Sequence, residues 1–106
     1  MKRLLALCFL WVLLPWSSAL AAAESFAYGQ SVQGRDLICW ALGEEQAENR
    51  LLLIFGVHGF EDAYDRDGQT LYDLAQALRE YYAANPEALN GWRLYLVPSA
   101  NPDGLT

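Results

Sequence analysis

The chain has a single histidine, and its neighbours make it worth attention. His58 sits in GVHGFED, residues 56–62, between Gly56 and Gly59, with Glu61 three residues on. A catalytic zinc takes three protein ligands and leaves a fourth position for water, and two histidines with one glutamate form a known set. An imidazole and a carboxylate three apart, in a turn that glycines allow to bend, can reach one ion. Zinc so placed acidifies its water and polarises a carbonyl. The same spacing also describes a turn histidine beside a solvated glutamate, so the motif by itself leaves both readings open. A metal-bound imidazole needs an acceptor for its other nitrogen. Asp62, Asp65 and Asp67 are the nearest candidates in sequence.

Position in the fold strengthens the metal reading and leaves both open. The motif ends an apolar run, RLLLIFGV at 50–57, of the kind found in central strands covered on both faces. Before it, Ser31 to Gly34 reads as a turn into a strand at 36–42, and 44–49 is a polar connector. After a polar loop at 62–69, Thr70 is a candidate N-cap with Asp73 three residues later. Leu71, Leu74, Ala75, Leu78 and Tyr82 then fall on one face of a helix, which Asn85-Pro86 ends. A second strand at 92–97 follows, closed by Pro98 and the turn Asn101-Pro102-Asp103-Gly104.

Strand, helix, strand in this order predicts a βαβ unit with parallel strands. Parallel strands end on the same edge, so His58 and Glu61 are expected beside residues 101–104. In open α/β sheets that carboxyl edge is where ligands bind. The expected fold is therefore α/β: a mixed, largely parallel sheet with helices on both faces, its βαβ unit following a first strand. Two parallel strands and one helix cannot cover both faces of such a sheet, so the sequence reads as the N-terminal part of a larger domain.

The N-terminus has a different character. Lys2 and Arg3 precede an apolar stretch from Leu4 to Leu14, followed by Pro15 and small residues with small-x-small sites at 19–23. That is the layout of a secretory signal peptide, residues 1–23, and it is short for a membrane span of about 20 apolar residues. Its removal takes away two of the seven basic residues and none of the 13 acidic ones. The net charge then moves from -6 to about -8, which argues against nucleic acid or an anionic membrane surface as a partner. Only Cys39 remains, in an apolar run, so the mature chain has no internal disulfide and its thiol reads as a core residue.

Other motifs carry less. Asp65-Arg66-Asp67-Gly68 lacks the further oxygen ligands of a calcium loop. No glycine-rich phosphate loop with its lysine is present, and the aromatic residues read as packing. A Ser-His-Asp device would have to use Ser99, the only serine at the relevant edge.

In this order the pieces resemble the zinc carboxypeptidase family of secreted metallopeptidases. The matching segments are Ser31-Val32-Gln33-Gly34-Arg35 before a strand and Gly56-Val57-His58-Gly59-Phe60-Glu61 after one. An amphipathic helix follows, then Val97-Pro98-Ser99-Ala100-Asn101-Pro102-Asp103-Gly104. The resemblance implies that His58 and Glu61 are the first two ligands of one zinc ion. It also implies a second histidine, substrate-binding arginines and a late glutamate as general base, all expected beyond Thr106. Arg66, Arg79 and Arg93 do not stand where the family's arginines do. The implied activity is hydrolysis of peptide amide bonds, with a peptide or peptidoglycan-derived substrate, by an exported protein. Two alternatives stay open: an amidohydrolase of the aspartoacylase or desuccinylase type, and a non-catalytic remnant or small secreted binding module. The 106 residues alone are expected to be inactive.

Overall fold

The computed structural model describes residues 23–58 and 67–105. It contains β1 (Glu24–Gln30), β2 (Asp36–Leu42), β3 (Asn49–Ile54), α1 (Asp67–Ala84) and β4 (Trp92–Val97). Single 3₁₀ turns follow at Pro86–Leu89 and Pro102–Leu105. The expected signal peptide lies outside the described residues, Ala23 apart.

The strands form one sheet in the order β1-β2-β4-β3. The β3–α1–β4 unit is parallel, as its sequence order predicts, in a register running from Asn49 opposite Trp92 to Ile54 opposite Val97. The other two pairings, β1 with β2 and β2 with β4, are antiparallel. The sheet is mixed, as expected, but among the described strands it is not largely parallel. The chain between β1 and β2 is a tight turn, in which Gly34 N–H donates to the Ser31 carbonyl at 3.0 Å. Such a connection can only return the chain antiparallel. Nor do the described residues place helices on both faces, since α1 covers one.

The apolar run of β3 also lies elsewhere than expected. Among the described residues it is an end strand, with Leu51, Leu52 and Ile54 about half exposed. The central positions belong to β2 and β4. Trp40, Leu42, Leu94 and Leu96 from these strands meet Ala75 of α1 and Leu89 to form the core. Leu96 and Ala75 are fully buried. Trp40 packs edge-on against Tyr72 at 6.1 Å between centroids, and the Arg79 guanidinium lies 4.6 Å over its ring.

The helix differs from its sequence reading in start and rotation. It already includes Asp67, three residues before the expected cap at Thr70, and Asp73 accepts a side-chain hydrogen bond from Gln69 at 2.8 Å. Its sheet-facing line centres on Ala75, with Tyr72, Leu78 and Tyr82 alongside. Leu71 and Leu74 are 39% and 48% exposed, so the helix is turned away from the face that hydropathy alone selects. Its end agrees with expectation. Asn85 N–H and Nδ2 both donate to the Tyr81 carbonyl, at 2.9 and 2.8 Å, and Pro86 cannot continue the ladder.

On the face opposite α1, Arg93 is 5% exposed and fully engaged. It donates to Glu24 Oε2 at 2.8 Å, the Gly43 carbonyl at 2.9 Å and the Tyr95 hydroxyl at 3.1 Å. The pair joins β4 to β1 across β2, a structural role. Gly43 adds a steric constraint: its φ is +92°, and a Cβ there would stand 2.5 Å from the Trp92 carbonyl oxygen. Gly43→Ala is therefore expected to lower stability by about 2 kcal/mol or more, read as a shift in the urea midpoint.

Candidate metal centre at the carboxyl edge of the sheet

The parallel pairing of β3 with β4 brings both carboxyl ends to one edge, and the backbone beyond them stays zipped. Phe55 N–H donates to the Val97 carbonyl at 2.9 Å. The chain leaving β4 then crosses over β3. Ala100 N–H donates to the Phe55 carbonyl at 2.8 Å, and Asn101 N–H donates to the Gly56 carbonyl at 3.0 Å. The turn that begins at Asn101 is thus fastened to the residue two before His58. Sequence order predicted this meeting, and the hydrogen bonds bear it out.

Gly56 is buried at φ +61°, and a Cβ there would approach Ser99 Oγ to 3.2 Å. Only glycine turns the chain at this point without strain and without displacing Ser99. The turn brings His58 to the surface, where it is exposed. It lines an open cavity of about 300 Å³ with Gly56, Val57, Asp67, Gly68 and Leu71. Of the acceptors suggested for its second nitrogen, Asp67 lines the same cavity and its Oδ1 accepts the Gly68 N–H at 2.8 Å. Asp62 and Asp65 lie outside the described residues, as does Glu61, the other predicted ligand.

Among the described residues no three His, Cys, Asp or Glu side chains group to hold a metal. The donor chemistry still fits zinc as part of a set. An exposed imidazole borders a cavity at the sheet edge where ligands bind, and a carboxylate follows three residues later in sequence.

Two other sequence candidates resolve plainly. Ser99 is 7% exposed, and its Oγ has no hydrogen-bond partner among the described residues. Buried against Gly56, it is no surface nucleophile. Cys39 is buried, and burial pushes its thiol up from the usual range, against a smaller opposing effect of the Leu96 backbone. That is the behaviour of an unreactive core thiol.

One cluster was invisible in the sequence. Asp103 Oδ1 accepts from Ser31 Oγ at 2.7 Å and from Arg35 Nη1 at 2.6 Å, and Oδ2 accepts from Gln33 N–H at 3.1 Å. Ser31 Oγ in turn accepts from Arg35 N–H at 3.0 Å. The Ser31 hydroxyl is the main cause that holds the Asp103 carboxyl below its usual range; burial opposes it, and Arg35 and the Gln33 amide add to the lowering. Its partners stand about 70 positions away in the chain, so no local spacing could have announced it.

Comparison with known proteins gives a consistent result. The family model described as zinc carboxypeptidase matches residues 18–106. Bacteriocin BCN5 of Clostridium perfringens is 36% identical over 84 residues, covering 79% of this chain and 9% of the bacteriocin. Carboxypeptidase Z of mouse and of human are each 35% identical over 91 residues, covering 77% of this chain and 14% of theirs. The chain therefore spans only about a tenth of the length of the curated relatives it matches.

Proposed function

The chain belongs to the zinc carboxypeptidase family, and from that premise we propose that it supplies the first two zinc ligands, His58 and Glu61, of an exported peptide hydrolase. The observation that carries this reading is the pair of backbone hydrogen bonds fastening residues 100 and 101 to Phe55 and Gly56. They seat the Asn101–Gly104 turn beside the strand end that presents His58.

Zinc, when bound there, supplies Lewis-acid polarisation of a carbonyl and lowers the pKa of water. The protein's own contribution is placement. Gly56 turns the chain at the strand end, and His58 offers its ring at the surface. Glu61, three residues on in the sequence, brings a negative charge that suits a divalent cation. The parallel register of β3 with β4 runs to Ile54 opposite Val97, so His58 stands just beyond a paired strand end.

In this reading the third ligand, the general base and the substrate-binding arginines come from beyond Thr106. Residues 1–23 direct export, and no helix among the described residues is long and apolar enough to cross a membrane. The substrate class is a peptide with a free C-terminus, with peptidoglycan-derived peptides as the narrower proposal. A second reading is a non-catalytic secreted module, for the chain spans only 9% and 14% of the length of the relatives it matches.

Metal removal separates the two. The protein expressed from its whole reading frame is expected to hold one zinc per chain and to release C-terminal residues from peptides. Dialysis against dipicolinate should abolish that release, and added zinc should restore it. Hydrolysis indifferent to the chelator would overturn the metal mechanism. Absence of both zinc and hydrolysis would favour the non-catalytic module.

A further inference from the structure

The Ser31, Gln33, Arg35 and Asp103 cluster lies at the same edge of the sheet as His58. Strand β2 runs antiparallel to β4, with Trp40 opposite Leu96, so the turn that leads into β2 stands where β4 ends. There the guanidinium of Arg35 and the hydroxyl of Ser31 close on one carboxylate oxygen, and the Gln33 amide on the other. The carboxylate belongs to the turn that grips Gly56 through Asn101. Within that turn, Gly104 N–H donates to both the carbonyl and the Oδ1 of Asn101, each at 3.1 Å. Hydrogen bonds thus lead from Arg35 and Ser31 to Asp103, and from its chain neighbour Gly104 through Asn101 to Gly56, two residues from the imidazole.

We infer that Asp103, with Arg35 and Ser31, is a positioning residue for His58: the cluster locks the turn at Asn101–Gly104, which in turn holds the Gly56 backbone from which the metal-binding imidazole projects. The inference rests on the proposed zinc role of His58. Its physical basis is geometric. A charge-assisted bond at 2.6 Å and a hydroxyl bond at 2.7 Å to the same oxygen are short and directional. Arg35 and Asp103 are both partly shielded, with side chains 38% and 17% exposed. Neither lines the cavity beside His58, and the hydrogen-bonded route from them to it runs through the Asn101–Gly104 turn and the Gly56 backbone. Outer residues that orient a metal ligand change metal affinity by about 10- to 100-fold when removed.

The test uses the protein expressed from its whole reading frame, with zinc itself as the probe. Asp103→Asn keeps the shape of the side chain and loses the charge that Arg35 meets. Zinc affinity, measured by chelator competition on the folded protein, is expected to fall about tenfold. Amide hydrogen exchange at Gln33 and Asn101 should accelerate, while the β2 and β4 amides stay protected. Arg35→Lys should recover part of the affinity that Arg35→Gln loses.

A purely structural role would lower the unfolding midpoint without moving zinc affinity or exchange at Asn101, and that result would overturn the inference. Should Asp103→Asn fail to fold, Arg35→Gln, which leaves the Ser31 and Gln33 bonds in place, is judged by the same criteria. His58→Ala is the control for the reading beneath. If His58→Ala retains zinc, the ligand assignment itself is wrong. If it loses zinc while Asp103→Asn and Arg35→Gln bind normally, the positioning role alone is refuted.

Discussion

His58→Ala, in the protein expressed from its whole reading frame, is expected to lose zinc and with it peptide hydrolysis, while the fold persists. The imidazole is exposed and stands past the end of β3. Its removal therefore takes nothing from the core around Leu96 and Trp40. A direct ligand contributes more than the outer residues that orient it, so affinity should drop by well over about 100-fold. Zinc content by mass spectrometry and the urea midpoint should be measured on the same sample. Lost metal with an unchanged midpoint is the expected pairing. Full zinc occupancy in His58→Ala would remove the assignment, whatever happened to activity.

The second large effect belongs to the core. Leu96 is the largest fully buried side chain among the described residues, and its strand neighbours are Trp40 on β2 and Leu53 on β3. With a strand on each side and α1 above, the surroundings have little freedom to close over a void. Leu96→Ala is expected to cost about 3 kcal/mol, from the lost transfer energy together with the cavity left behind. Against the roughly 5–15 kcal/mol that holds an ordinary domain together, that is a large share. Urea unfolding should show a lower midpoint at unchanged slope. A loss below about 1 kcal/mol would mean that the site collapses, and that the core is looser than its burial indicates.

What could be read from the sequence divides along physical lines. The second strand of the βαβ unit was legible to the residue, because Gly91 and Pro98 bracket a short apolar run. The end of α1 was equally clear, since Asn85-Pro86 is a local chemical stop. The rotation of α1 was not legible. Leu71 and Leu74 are as apolar as Leu78, yet only Leu78 packs against the core, a choice that tertiary packing makes and hydropathy does not encode. Strand β1 escaped notice: all seven of its residues are exposed, Phe26 and Tyr28 among them, and ladder hydrogen bonds with β2, not burial, hold it.

The site shows the same division. His58 and the turn at 101–104 could be brought together from strand order alone, because parallel pairing dictates a common edge. The partners of Asp103 could not, because an ion pair between distant turns leaves no periodicity. Glu61 lies outside the described residues, so its role stands on its spacing from His58 and on the family.

The strand order also sets a timetable for folding. β2 and β3 do not touch each other. Each meets β4, which is the last of the four strands to be made. The β1–β2 hairpin can close locally soon after synthesis. The apolar run of β3 has no partner among these strands until Val97 has emerged. Closing the sheet then requires bringing Leu42 and Leu94 together across a long intervening segment, a slow kind of contact. A nascent chain stopped before β4 therefore holds a hairpin and a helix without a common core. Under the export proposed above, that unfinished state is the form that could still be threaded through a narrow channel.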